Sequence, residues 1–180
     1  MDAEQYAASH WLRKKTYTHL TNKKHTTRFT ECVKHVVGKR FLDVGCACGH
    51  STQIMAGLKT GDWTGLDFSE SMIDAAREFF PDSRWLYCPD MDMPLTCIAF
   101  DSVVCSEVIE HVPEDEKFVA YLWGLAKKVL VLTTPNKRVR DPGHLRGYTR
   151  EMIDELLAPF DCDKNIYSKG QFWYIVLTKK

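Results

Sequence analysis

The chain has 180 residues, 24 Lys/Arg against 24 Asp/Glu, and 44% apolar residues, which suits one globular domain with one sizeable core. Its net charge of zero excludes a strongly basic or acidic chain that binds its partners by charge alone. No apolar run is long enough to span a bilayer and no signal-peptide core opens the chain, so it reads as cytoplasmic, with no membrane association.

Residues 3–20 read as a helix with Tyr6, Trp11 and Tyr17 available to pack. A second helix is expected over 27–37, from Phe29, Cys32/Val33 and Val36/Val37, with Gly38 closing it. A strand follows at about 40–44, a helix at 50–58 and a second strand at 63–67. Ser69 is placed to cap a helix whose buried face is Met72, Ile73, Ala76 and Phe79. Strands at 84–88 and 101–106 come next, then a helix at 114–127 and a strand at 129–134. Thr149 is placed to cap a helix over 150–158. Two closing strands, 162–168 and 172–178, are joined through Gly170.

This alternation predicts an α/β fold: a Rossmann-like three-layer sandwich around a seven-stranded, mostly parallel sheet with an antiparallel last strand. The whole chain, 1–180, reads as one domain. Residues 40–180 form a cofactor-binding core, and the N-terminal helices of 1–39 form a substrate lid.

Seven cysteines, Cys32, Cys46, Cys48, Cys88, Cys97, Cys105 and Cys162, contain no Cys-x-x-Cys and read as small buried thiols. Residues 11–40 hold nine Lys/Arg and one acidic residue, whereas 61–120 hold fourteen Asp/Glu and three Lys/Arg. Such runs serve either as solvated helix faces or as a basic surface that draws in an anionic substrate.

The most informative stretch is Phe41-Leu-Asp-Val-Gly-Cys-Ala-Cys-Gly-His50, an apolar run that ends in Asp43 and a glycine loop. A second run, Trp63-Thr-Gly-Leu-Asp-Phe68, ends in Asp67, so the pair reads as a βαβ unit that holds a nucleoside. Gly45 and Gly49 let the backbone approach a ligand, and Asp67 is placed to accept hydrogen bonds from ribose hydroxyls. The loop is not Gly-x-Gly-x-x-Gly, and Asp43 suits a cationic ligand end better than a pyrophosphate.

The loop resembles motif I of the class I S-adenosylmethionine-dependent methyltransferases, Asp-x-Gly-x-Gly-x-Gly, with Ala47 in place of the middle glycine. Gly65-Leu-Asp-Phe-Ser-Glu-Ser-Met72, Cys88-Pro-Asp-Met-Asp-Met-Pro94, Phe100–Val112 and Lys128–Asn136 resemble the family's later strand ends in order. The resemblance implies S-adenosyl-L-methionine as cofactor. It places the methionine end on Asp43, Gly45 and Gly49, the ribose on Asp67, and the adenine on Asp90 and Met91. Cys46, Phe68, Met72 and Ser106 line the same crevice. The activity implied is methyl transfer to an oxygen or nitrogen of a small-molecule acceptor.

Glu107-Val-Ile-Glu-His111 follows the fourth strand, and His144 lies in a later loop. Glu107, His111 and His144 are the candidate catalytic residues, since an oxygen nucleophile must lose a proton to a base or a metal. Glu107, Glu110, His111 and His144 could also hold a divalent Mg, Mn or Zn ion. Glu-x-x-Glu-His with a distant His resembles the small-RNA 2′-O-methyltransferases and the O-methyltransferases of ubiquinone biosynthesis. Two further readings follow, a metal-dependent RNA 2′-O-methyltransferase and a non-catalytic cofactor-binding subunit that works with a partner.

Overall fold

The computed structural model describes residues 22–90, 99–137 and 143–180. The helix expected over 3–20, together with Met91 and Cys97, lies outside the described residues. The elements run α1 (Lys23–Val33), β1 (Arg40–Val44), α2 (His50–Leu58), β2 (Asp62–Asp67), α3 (Glu70–Phe79), β3 (Arg84–Tyr87) and β4 (Phe100–Ser106). A 3₁₀ turn (Ile109–His111) then leads to α4 (Asp115–Leu125), β5 (Ala126–Pro135), α5 (Arg150–Leu157), β6 (Asp163–Lys169) and β7 (Phe172–Thr178).

The strands form one seven-stranded sheet in the order β3-β2-β1-β4-β5-β7-β6. The β1–β2, β1–β4, β2–β3 and β4–β5 pairs are parallel, and β7 runs antiparallel to both β5 and β6. The sheet therefore has the expected mostly parallel form, with the hairpin turned at Gly170 (φ +64°). On one face Leu42, Val44, Leu66, Val103, Leu130 and Leu132 meet Phe118, Leu122 and Leu125 of α4 and Ile153 and Leu157 of α5. On the other face Phe41, Val131 and Tyr174 meet Phe29, Cys32 and Val33 of α1 and Met55 of α2. These apolar positions are the ones that helical and strand periodicity place inwards.

Several boundaries differ from expectation for identifiable reasons. Helix α1 starts at Lys23 because the Asn22 side chain accepts the Lys24 N–H at 3.0 Å and caps it. It ends at Val33, where Val37 leaves the helix to exchange bonds with the Ser102 hydroxyl at 2.8 and 2.7 Å. Helix α4 stops at Leu125, because Ala126 is drawn into the ladder opposite Phe100. Phe79 is 43% exposed, since Phe80 takes the inner seat against Trp85 and Ala75 completes the buried stripe of α3. Both expected caps are present: Ser69 and Thr149 accept the N–H of Met72 and Met152, each at 3.3 Å.

All six described cysteines are free, five of them buried. Helix α1, within the segment expected to form a lid, is a layer of the fold. No described helix is long and apolar enough to cross a membrane.

Candidate active site

The parallel strands β1, β2, β3 and β4 end at one edge of the sheet, where open α/β sheets take their ligands. The loop after β1 turns there by alternation: Gly45, Ala47 and Gly49 have φ of +77°, +46° and +86°. The N–H groups of Gly45 and Cys46 both donate to the Leu66 carbonyl, at 2.8 and 3.0 Å, which pins the loop to the end of β2. A Cβ on Gly45 would sit 2.3 Å from Cγ2 of Val108, so the loop touches the turn after β4 at this point.

Ala47 is the costly member of the three, because a left-handed L-residue is strained by about 1–2 kcal/mol. Asp67 holds it in place: its Oδ2 accepts the Ala47 N–H at 2.8 Å and its Oδ1 the Ser69 N–H at 3.0 Å. Asp43 is 1% exposed and accepts the Ser51 and Thr52 hydroxyls, each at 2.7 Å. Burial pushes its carboxyl up to about 6, against the pull of those two hydroxyls.

Cys46 is buried beside Ile73, Ala76 and Trp85, and Met72 packs with Cys48 and Ala75. Phe68 meets Phe118 edge to face at 5.9 Å. Asp90 is exposed, and its carbonyl accepts the Cys88 thiol at 3.0 Å. Ser106 shares a 2.8 Å hydroxyl bond with Thr133.

The turn after β4 carries the residues expected on the acceptor side. Glu107 has φ +61°, a left-handed conformation in a residue with a side chain. Its Oε1 accepts the Thr133 hydroxyl at 3.2 Å, and its Oε2 lies 3.7 Å from the Arg28 guanidinium of α1. Burial pushes the Glu107 carboxyl up, and Arg28 pulls it back.

Glu110 is fully buried. Its Oε2 accepts the Thr134 hydroxyl at 3.1 Å, while its Oε1 is buried without a hydrogen-bond partner. Burial first, and the Glu107 charge second, push this carboxyl up to about 8. His111 donates from Nδ1 to the Gly143 carbonyl at 2.9 Å, because a carbonyl can only accept. In the neutral imidazole this tautomer leaves the lone pair on Nε2. The His111 and His144 rings meet edge to face, 4.6 Å between centroids.

Potential ligand atoms of Glu110, His111 and His144 all lie within 4.8 Å of one another. The structure thus brings together three of the four expected metal-site residues. Glu107 stands apart, since its left-handed backbone aims the side chain at Arg28 and Thr133 instead.

Three functional candidates escape a reading of the sequence. Arg28 is 4% exposed, its Nε is buried without a hydrogen-bond partner, and its guanidinium lies 4.9 Å from the ring centroids of both Phe29 and Phe172. Thr133 and Thr134 are buried at the end of β5, and each gives its hydroxyl to one glutamate. The Thr-Thr pair after an apolar run was a readable signal, since buried hydroxyls need partners. A separate hollow of about 460 Å³, lined by Arg40, Asp62, Thr64, Arg84, Trp85, Leu86 and Phe100, opens at the opposite ends of the strands.

Comparison with known proteins matches residues 42–129 to a methyltransferase domain family. The chain is 36% identical over 96 residues to a ubiquinone biosynthesis O-methyltransferase of Coxiella burnetii, covering 50% of this chain and 40% of that protein. It is 30% identical over 151 residues to the enzyme of the same name from Actinobacillus pleuropneumoniae, covering 76% of this chain and 64% of that one. The chain thus spans less than two thirds of either relative's length. Among solved structures, the magnesium protoporphyrin IX methyltransferase of Synechocystis PCC 6803 with bound SAM superposes with a TM-score of 0.74 at 17% identity. That match covers 98% of this chain and 95% of the other. The strand order, the glycine loop and these matches together support a class I S-adenosylmethionine-dependent methyltransferase.

Proposed function

We propose that this domain moves a methyl group from S-adenosyl-L-methionine to an oxygen of a small-molecule acceptor. The observation that carries the reading is the contact of the two half-sites. The left-handed loop at Gly45 packs on Val108, between Glu107 and the Glu110–His111 pair. The ubiquinone-biosynthesis relatives support an oxygen acceptor over a nitrogen, and a small molecule over an RNA hydroxyl or a non-catalytic partner subunit.

When bound, S-adenosyl-L-methionine supplies a methyl group already activated on a sulfonium. The chain's task is then to align the acceptor, exclude water and take a proton. Asp67 accepts the ribose hydroxyls, and Gly45, Cys46 and Gly49 form the floor. Phe68, Met72, Asp90 and Ser106 line the adenosine side. Asp43 favours the ammonium end, and Arg28 is the buried cation available to the carboxylate end. His111 takes the acceptor's proton at Nε2, and His144 faces the same space, while Glu107 is held by Arg28 and Thr133. Lys24 and Arg28 on α1 suit an anionic acceptor.

The residues also fit a divalent ion. Glu110 Oε1 is an orphaned buried oxygen beside two imidazoles, a mixed O/N donor set that Mg, Mn or Zn would accept. Glu110, His111 and His144 would hold the ion, which would lower the pKa of an acceptor hydroxyl.

The test is transfer of a labelled methyl group from S-adenosylmethionine to a panel of phenols and hydroxy acids, with and without Mg²⁺ or Mn²⁺. Transfer to oxygen that His111→Ala abolishes is expected. Transfer only to amines or carbon would overturn the oxygen assignment.

A further inference from the structure

His144 lies in a segment with neither helix nor strand, 33 positions from His111 along the chain. No helix or strand pairing sets its position, and its ring meets that of His111. The restraint comes from the turn after β4 and the start of α4. The Gly143 carbonyl accepts from His111 Nδ1 at 2.9 Å, and the Leu145 N–H donates to the Glu110 carbonyl at 2.9 Å. One residue further on, Arg146 donates from Nη2 to the Pro113 carbonyl at 2.7 Å and pairs with the Asp115 carboxylate. Tyr148, 4% exposed, donates its hydroxyl to Asp115 Oδ2 at 2.7 Å. Trp173 of β7 holds the Tyr148 carbonyl at 3.1 Å.

Asp115 is thus the one carboxylate on which both Arg146 and Tyr148 converge. The Arg146 and Asp115 side chains are only 25% and 18% exposed, so solvent screens the pair less than a surface ion pair. Its side chain is bound by Arg146 and Tyr148, through which it acts.

We propose that Asp115, through Arg146 and Tyr148, is a positioning residue that holds the 143–148 segment against the turn after β4 and so sets His144 beside His111. The role rests on the methyl-transfer reading only for its effect on turnover, because the ring pairing is observable without any reaction.

The experiment uses the intact chain saturated with S-adenosylhomocysteine, and the near-isosteric Asp115→Asn alongside Tyr148→Phe, which keeps the ring and removes the hydroxyl. Proton NMR reads the nuclear Overhauser contact between the His111 and His144 rings. Calorimetry reads S-adenosylhomocysteine affinity, and steady-state kinetics separates kcat from KM. Both variants are expected to bind S-adenosylhomocysteine within about twofold of the parent and to lose the ring contact. Turnover should fall by up to about 10²-fold, the scale of an ångström-sized misplacement, with KM for the cofactor unchanged. If Asp115→Asn does not fold, Tyr148→Phe decides. An intact ring contact in a folded variant overturns the clamp, and so does a KM change with kcat preserved. A parent chain that transfers no methyl group overturns the proposed function alone, and the ring contact still decides the clamp.

Discussion

The loop after β1, proposed to hold the cofactor, and the turn after β4, proposed to face the acceptor, meet at the same sheet edge, yet their shapes are fixed over very different distances in the chain. Gly45, Ala47 and Gly49 take their left-handed backbone within one short loop, and Asp67 braces it from the next strand. The acceptor turn is assembled from far apart: Arg28 reaches Glu107, Thr134 reaches Glu110, and Gly143 reaches His111. The first region needs residues that lack or tolerate a Cβ. The second buries charged groups and needs distant partners for them. Damage to the loop should therefore remove binding, whereas damage to the turn should remove chemistry or ion affinity and spare binding.

The sharpest way to break that division is Gly45→Ala, because it strikes both regions. The added Cβ would meet Val108 at 2.3 Å while the backbone stays at φ +77°. A stability loss of about 2–4 kcal/mol is expected in thermal melts, from overpacking and left-handed strain together. S-adenosylhomocysteine affinity should fall at least about 10²-fold with it.

Asp67→Ala tests the loop alone. Two backbone N–H groups lose a carboxylate acceptor, so stability should drop by about 2 kcal/mol. Affinity for S-adenosylhomocysteine should fall about 10²-fold in calorimetry, and Mn²⁺ affinity should not change.

Glu110→Gln tests the turn. The carboxyl sits near 8 in the folded protein against a normal value of 4.5. The folded state therefore binds more protons between these values, and the parent's stability falls as pH rises through that window. The variant, measured in chelator, should match the parent within about 1 kcal/mol at acid pH and exceed it above pH ~8. Divalent-ion affinity should be lost and S-adenosylhomocysteine affinity kept.

The smallest effect is expected at Gly57→Ala. Position 57 lies inside α2 with nothing within 4 Å of the added methyl. Helix propensity should raise stability by about 0.5–1 kcal/mol and leave both half-sites untouched. This is the contrast that shows the Gly45 effect to be local geometry.

What the sequence disclosed follows the same division. β1, α2 and β7 are legible to the residue because apolar runs, glycines and caps mark their ends. The mostly parallel form of the sheet follows from the alternation of strand and helix, whereas the order of its strands is written only in the fold. Arg28 was not legible, because a buried cation over two aromatic rings looks, in sequence, like one more lysine-rich helix residue. Glu107 was recognised as an acid but not as a left-handed one, since φ +61° leaves no trace in composition. The departure of Glu107 from the other three candidate ligands follows from that backbone, and the Asp115 convergence depends on contacts 31 and 33 residues distant. Loop geometry is written locally, and buried charge pairing is written only in the fold.

The measurement that bears most directly on the central claim is a calorimetric titration of the unmutated chain with S-adenosylhomocysteine, in chelator and then with Mn²⁺. One-to-one binding in chelator, with a separate signal for the ion, is the predicted result. Absence of binding under both conditions would contradict the assignment of the Asp43–Gly49 loop and Asp67 as a cofactor site.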